Sequence, residues 1–368
     1  MKILFVITGL GVGGAERQVL DLADRFCRQG KQVLVVYMTG EVRLRPSEAG
    51  VKITGLGIDK SPKGLVKAYS RLRQIIRTFK PDVVHSHMVH ANLLSRLVRL
   101  TTRIPRLVCT AHSTNEGGPL RMLAYRLTDR LADFSSNVSV EAVEAFEKKG
   151  AVPAGRMTAI ANGIDTVRYQ PDRAARNAAR TAGGLSPDDK LILAVGRLAE
   201  PKDYPNLLGA FAQVAKADPR TKLWIAGGGD LLPELQELSV RLGISERTTF
   251  LGVRSDIPAL FNAADVYVLS SAWEGLPLVV GEAMASEKVV VATDCGGVRE
   301  FLGDCGFLVP NRNSEKLAAA LSEALVLNDE QATTLGARAR HRVVTQYSLD
   351  KIVETWANIY GFGPALNA

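Results

Sequence analysis

Asp265–Gly297 reads DVYVLSSAWEGLPLVVGEAMASEKVVVATDCGG. Asp265–Ser271 is an apolar run closed by small polar residues, the pattern of a short buried strand. Pro277 suits the first position of a helix, where the N–H it lacks would have no partner anyway. Leu278–Ser286 is therefore expected as a short helix and Lys288–Thr293 as the next strand. Two carboxylates, Glu274 and Glu282, stand eight residues apart, the first on the loop above the strand end and the second inside the helix. A loop whose free backbone N–H groups lie at a helix N-terminus attracts oxyanions. A carboxylate within that helix can accept hydrogen bonds from a vicinal diol such as a ribose. Two surface glutamates flanking a turn would have the same spacing, so the rest of the chain has to decide.

Strand-then-helix units recur on both sides of this stretch, the pattern of parallel sheets covered by helices. Lys2–Thr8 (KILFVIT) reads as a buried first strand and not as a leader, because Glu16-Arg17 and a helical pattern follow. In between, Gly9, Gly11 and Gly14 satisfy G-x-G-x-x-G, a loop whose N–H groups face a phosphate at a helix N-terminus. That fingerprint also fits a Rossmann oxidoreductase, but the second strand, Gln32–Met38, ends without the carboxylate that would hold a nicotinamide ribose. Asp82–His87 and Arg106–Thr110 are further strands. His85, His87, His90 and His112 fall at their C-terminal ends, where open parallel sheets bind ligands. Asn115 and Glu116 share the His112 loop. Residues 171–189 are polar, with Pro and Gly, and read as a linker with a lead-in helix. A second series opens at Lys190–Val195. Arg197 and Lys202 follow it, a forked and a point cation suited to a diphosphate. Lys222–Ala226 leads into Gly227-Gly228-Gly229, and Thr249–Leu251 into Gly252-Val253-Arg254.

A chain of 368 residues with 46% hydrophobic and 23% charged residues fits two globular domains. Its four cysteines form no CxxC pair and no zinc spacing, which fits a reduced, cytosolic compartment. No apolar run is long enough to span a bilayer. The net charge of +8 is uneven: residues 1–170 hold 26 Lys and Arg against 14 Asp and Glu, a balance of +12, and residues 171–368 hold 20 against 24, a balance of −4. Residues 60–106 alone hold eleven Lys or Arg and one acid, Asp82. There Lys63, Lys67, Arg71 and Arg77 interleave with Leu65, Val66, Tyr69, Leu72, Ile75 and Ile76 on one amphipathic helix. Such a face is either the solvated outside of an α/β domain or a dock for anionic lipid. No nucleic-acid motif accompanies it.

Glu274-Gly-Leu-Pro-Leu-Val-Val-Gly-Glu282 resembles the E-x7-E signature of the retaining glycosyltransferases of family 4, which include bacterial lipopolysaccharide and exopolysaccharide enzymes, and further similarities cover nearly all of the chain. The resemblance implies the α/β GT-B fold: two Rossmann-like, doubly wound domains facing a central cleft. The first would span residues 1–170 and be joined by a C-terminal helix within 349–368; the second would span 190–348. It implies a donor site in which Arg197 and Lys202 clamp the diphosphate, the backbone of Val253 and Arg254 holds the base, and Glu282 holds the ribose. Glu274, Gly275, Leu276, Pro277, Leu278 and Val279 would surround the sugar and diphosphate. Gly13 and Gly14 would approach the donor diphosphate from the first domain. His112, in CTAHSTNEGG, would be the active-site histidine over the donor sugar, with Asn115 and Glu116 near sugar or acceptor. Asn162-Gly-Ile-Asp165 resembles the family's N-G-[IV]-D segment, whereas Lys202-Asp203 stands where the family often has Lys-Gly.

The expected activity is transfer of a hexosyl or N-acetylhexosaminyl group, with retention, from a nucleotide-diphosphate sugar (UDP favoured) to a hydroxyl of a lipid-linked or oligosaccharide acceptor. The nucleotide sugar is a co-substrate, and no cofactor or metal is expected: no Asp-x-Asp occurs, and Arg197 and Lys202 supply the positive charge. The expected place is the cytoplasm, docked peripherally on the anionic inner face of the cytoplasmic membrane. A sugar-nucleotide epimerase of the same fold, an NAD-dependent oxidoreductase and a non-catalytic nucleotide-sugar binding module are the alternatives.

Overall fold

The computed structural model describes residues 1–58, 62–114 and 116–362. The chain forms two units, Met1–Gly163 with Leu349–Ala368, and Ile164–Ser348.

The first unit holds β1 (Lys2–Ile7), β2 (Gln32–Tyr37), β3 (Lys52–Gly55), β4 (Val83–His87), β5 (Arg106–Thr110), β6 (Phe134–Asn137) and β7 (Met157–Ala159). They lie in the order β3-β2-β1-β4-β5-β6-β7, every neighbouring pair parallel. β1 shows why the sequence demands helices on both sides. Ile3, Phe5 and Ile7 enter one core with the helices Gly14–Arg28 and Leu349–Tyr360, while Leu4 and Val6 enter another with Pro62–Phe79 and Val89–Arg99. A strand apolar on both faces is stable only when both are covered. Leu349, Ile352, Val353, Trp356 and Tyr360 of the helix Leu349–Tyr360 are buried in the same core as β1. The edge strands β3 and β7 have no counterpart in the sequence reading.

The second unit repeats the plan with β8 (Lys190–Val195), β9 (Thr221–Ala226), β10 (Thr248–Gly252), β11 (Val266–Leu269), β12 (Val289–Asp294) and β13 (Phe307–Pro310). Their order is β10-β9-β8-β11-β12-β13, again all parallel. Counted within its own sheet, each unit therefore runs third-second-first-fourth-fifth-sixth, with a seventh strand added at the end of the first sheet, the doubly wound order whose switch point lies between the first and fourth strands. Those points are β1/β4 and β8/β11. The helix Arg173–Ala182, from the segment expected to be a linker, is fastened to the second sheet. Arg176 Nη2 and Arg180 Nη1 lie 2.6 and 3.3 Å from Asp265, which also accepts from Leu191 N at 2.7 Å.

Among the described residues of the first unit one guanidinium, that of Arg96, is fully buried. Its Nη2 meets Asp129 at 3.3 Å and Ser135 at 3.1 Å, and its Nη1 donates to Tyr125 O at 3.2 Å. Asp129→Ala would leave that charge buried without its counter-ion, and the first unit is expected to lose about 3–5 kcal/mol of stability. Hydrogen exchange of the β4–β6 amides reads the loss; wild-type protection in the variant would mean that the neutral hydrogen bonds of Arg96 suffice.

Candidate functional site

In the second unit, the loops leaving β8 and β11 are tied together at the switch point. After β8 the chain passes Arg197, whose side chain is exposed, into a single turn, Glu200–Lys202, and then the helix Tyr204–Ala217. Asp203 joins the two at φ 45°, ψ 50°. This is the left-handed region, which glycine enters freely and which Asp tolerates better than most residues. The departure from Lys-Gly thus keeps the turn. Ser270 Oγ donates to Lys202 O at 2.8 Å, and Ala272 N donates to Pro201 O at 2.8 Å. The side chains meet as well: Lys202 Nζ lies 2.6 Å from Glu274 Oε1, and Ser271 Oγ donates to the same oxygen at 2.7 Å. With 21% and 14% of their side chains exposed, Lys202 and Glu274 form an ion pair largely withdrawn from water.

The loop bearing Glu274 rests on Cys295-Gly296-Gly297. Gly297 N donates to Gly275 O at 2.8 Å. Gly296 has φ +56°, and a Cβ there would stand 2.4 Å from Glu274 O, so only glycine fits. Leu276, Pro277 and Leu278 are buried, and Val279 is half-buried. The helix Leu278–Ala285 begins after Pro277 with no side-chain cap, leaving its first amides uncovered by any capping group. Glu282, a turn further in, is 8% exposed. On the other side, Gly227 packs so tightly that a Cβ would lie 1.8 Å from Gly196 O, and Gly228 faces Val253 Cγ2. Val253 itself is 71% exposed, and Arg254 is engaged with Asp256 at 2.6 Å. Two neighbouring strand ends thus carry two cations, a carboxylate held by one of them, and a helix N-terminus: a cradle for an anion with hydroxyls attached.

In the first unit, Gly13 is the N-cap of the helix Gly14–Arg28, and the Glu16 carboxylate of the first turn lies against it, where a Cβ on Gly13 would stand 2.4 Å from Glu16 Oε2. The histidines divide. His90 is exposed on the helix Val89–Arg99; His87 is the last residue of β4, at the strand end as expected but buried, and His85 lies buried two residues further in, a correction to its expected place at the strand end. His85 Nδ1 lies 2.5 Å from Tyr360 Oη and its Nε2 lies 2.7 Å from Thr110 Oγ1. His87 Nδ1 lies 2.9 Å from His112 Nε2. Burial depresses the basicity of all three, that of His112 to a pKa of about 4, so the rings are neutral near pH 7. Glu116 does not project from the loop. It accepts from His112 N at 2.9 Å and from Tyr125 Oη at 2.6 Å, and burial pushes its pKa up. Asn115 lies outside the described residues. Among the described residues, no group of three His, Cys, Asp or Glu is placed to hold a metal ion. Sequence reasoning missed the partners Ser271 and Tyr125; only their positions, three residues before Glu274 and nine after Glu116, hinted at contact.

Two family models match consecutive stretches of the chain. One, described as glycosyltransferase family 4, covers residues 12–168, and one, described as glycosyl transferases group 1, covers residues 175–342. The putative glycosyltransferase EpsD of Bacillus subtilis is 31% identical over 304 residues, which cover 79% of this chain and 79% of that protein. The UDP-Gal:alpha-D-GlcNAc-diphosphoundecaprenol alpha-1,3-galactosyltransferase of Escherichia coli is 24% identical over 321 residues, 83% of this chain and 80% of that one. Among solved structures, Anabaena HepE in complex with UDP shares the fold at a TM-score of 0.86 and 24% identity, covering 98% of this chain and 99% of that chain. The paired doubly wound sheets, the two matched halves and the similarity to EpsD agree: the chain has the GT-B fold and belongs to the family 4 glycosyltransferases.

Proposed function

We propose that this protein transfers a hexosyl or N-acetylhexosaminyl group, with retention and without a metal, from a UDP-sugar to a hydroxyl of a lipid-linked glycan in cell-envelope polysaccharide synthesis. The observation that carries this reading is the Lys202–Glu274 pair, placed just before the uncapped start of the helix Leu278–Ala285. Cleaving the bond between sugar and diphosphate builds negative charge on the leaving group and oxocarbenium character on the sugar. Lys202, Arg197 and the first amides of that helix stabilise the former, Lys202 from a position largely withdrawn from water. Glu274, with one oxygen occupied by Lys202 and Ser271, offers the other to a sugar hydroxyl. A carboxylate so held is no free nucleophile, which favours departure and attack on one face of the sugar over a glycosyl-enzyme. Glu282 takes the ribose. UDP is favoured because HepE was crystallised with it, and a lipid-linked acceptor because the E. coli relative is named for one.

The lipid reading also rests on two helices of the first unit. In Pro62–Phe79, Ala68, Leu72 and Ile76 are buried, while Lys63, Lys67, Arg71 and Arg77 are exposed beside Leu65 and Val66, 57% and 67% exposed. In Pro119–Thr128, which contains no acid, Leu120, Leu123 and Leu127 are 82%, 51% and 74% exposed, on the same helix as Arg121 and Arg126. No helix of the described residues is long and apolar enough to cross a membrane. Cations beside exposed leucines favour shallow, reversible attachment to an anionic leaflet.

The deciding experiment is sugar transfer to a polyprenyl-diphosphate glycan from a panel of nucleotide sugars. Arg197→Ala and Lys202→Ala are expected to lower kcat about 10²-fold, the scale of losing one transition-state donor; wild-type turnover should persist in EDTA. Near-normal kcat in both variants, or activity lost on chelation and restored by Mg²⁺, would overturn the metal-free clamp.

Glu282→Ala should weaken binding of free UDP, because a ribose contact is alike in ground and transition states, whereas Glu274→Ala should lower kcat with UDP affinity nearly unchanged. Calorimetry with UDP checks this, and equal affinity losses would refute the division of roles.

Sedimentation with liposomes tests the last point. Binding should appear with anionic vesicles, fade in high salt and weaken when Lys63, Lys67, Arg71 and Arg77 are changed to glutamine. Equal recovery in the supernatant with neutral and anionic vesicles would leave a soluble acceptor.

A further inference from the structure

We propose that Trp273 and Arg312 form a binding platform for a sugar ring of the acceptor glycan, on the flank of the Glu274 loop away from the nucleotide. This rests on the reading above, in which Glu274 meets the transferred sugar.

Trp273 immediately precedes Glu274, and 38% of it is exposed. Every other Phe, Tyr and Trp among the described residues is buried or half-buried. An indole left in water forgoes the burial through which aromatic side chains stabilise a fold. The one that stands open, next in the chain to a candidate sugar-binding carboxylate, points to a ligand. A pyranose fits it: the ring C–H bonds of one face make an apolar surface that rests on the indole, while the hydroxyls project at the rim. The Arg312 guanidinium stands over the indole, 6.0 Å from its centroid, at the outer reach of cation–π attraction. It makes no hydrogen bond or ion pair among the described residues. Its donors are therefore open to the hydroxyls, or to an acidic substituent, of a sugar on the indole.

The platform is fixed in advance. Both main-chain polar groups of Ala272 are engaged: its N–H donates to Pro201 O at 2.8 Å, and its carbonyl accepts from Asn311 Nδ2 at 2.9 Å. Glu274, on the other side of the indole in the chain, is held by Lys202 and Ser271. Arg312 stands at φ 53°, in the left-handed region that few side chains enter. The next residue, Asn313, caps the helix Ser314–Leu325 by accepting from Lys316 N at 2.9 Å. Groups already in place cost less to order when a ligand binds.

The flank tells which sugar. The helices Tyr204–Ala217 and Ser314–Leu325 share a core with Val266 and Val268 of β11 and Val289 and Val291 of β12. Successive residues of a strand face opposite sides of its sheet, and the helix Leu278–Ala285 contributes nothing to that core among the described residues. That helix carries Glu282 and, in the reading above, faces the diphosphate. Arg312 leads into Ser314–Leu325, so the indole beside it turns away from the nucleotide. A sugar on Trp273 is then a neighbour of Glu274 that the nucleotide does not carry, which is the acceptor.

The test separates the two substrates. Sugar transfer is measured with the nucleotide sugar and the polyprenyl-diphosphate glycan varied in turn. Trp273→Ala should raise KM for the glycan on the order of 10-fold, the scale of one lost aromatic contact. Arg312→Gln should move it in the same direction, and Trp273→Phe should restore most of it. KM for the nucleotide sugar and calorimetric affinity for free UDP should stay unchanged in all three. A second readout needs no turnover. Trp224 and Trp356 are only 5% and 3% exposed, so acrylamide quenching of tryptophan fluorescence reports Trp273. With UDP saturating, lipid-free chitobiose or lactose at high concentration should shield it. An unchanged glycan KM in Trp273→Ala, equal losses in Trp273→Ala and Trp273→Phe, a loss that falls on the nucleotide sugar or UDP, or an indole that neither disaccharide shields would each overturn the proposal. A wild-type protein that transfers no sugar would sink the functional reading and leave the quenching to decide the platform.

Discussion

A parallel strand buried on both faces can present chemistry only at its ends. β1 and β11 obey this constraint. Alternate side chains of β1 fill opposite cores, and β11 is buried along its length, so neither strand has a flank to offer a ligand. The loops after the carboxyl ends of these two strands are left to meet a ligand, and the doubly wound order opens a gap between loops at the first and fourth strands. That gap is where the Gly9–Gly14 loop and His87 stand in one unit, and where the Lys202 turn and the Glu274 loop stand in the other. The same topology, written twice, supplies two frameworks on which unlike side chains can be set.

Within the second framework the electrostatics are arranged in advance. Withdrawing an ammonium and a carboxylate from water costs several kcal/mol for each ion unless they are paired and hydrogen-bonded. Lys202 and Glu274 meet that requirement with each other and with Ser271. The lysine is therefore already desolvated and aimed before a ligand arrives. In the proposed reaction a diphosphate would bring it a second anion without asking it to move far, and the glutamate, partly relieved of its cation, would become a better acceptor for a hydroxyl. A cation on a mobile surface loop would have to be ordered and dehydrated at the moment of binding.

Much of this was legible in the sequence. The strand, helix and strand of Asp265–Gly297 were readable to within a few residues, because an apolar run, Pro277 and a second apolar run each have a local physical cause. β3 and β7 were not, since four and three residues at a sheet edge, half exposed, leave no periodicity to read. Lys202 and Glu274 could each be named, but not their pairing across 72 residues, which depends on β8 and β11 being neighbours. The pattern His-Ser-His puts His85 and His87 on one face of a strand. It cannot say that this face would be closed by Trp356 and Tyr360, some 270 residues later, and this closure turns two histidines expected at a strand end into a buried stack.

The helix Leu349–Tyr360 completes the core of the first unit although it follows the whole of the second. During synthesis this inverts the usual order, in which domains mature from the N-terminus as they emerge. Residues 164–348 form a contiguous unit and need nothing further along the chain to complete their core. The first sheet has to wait, with the face of β1 that bears Ile3, Phe5 and Ile7 lacking one of its covers until Trp356 arrives. In the interval this half of the nascent chain exposes apolar surface, so it is the half for which a chaperone has something to hold.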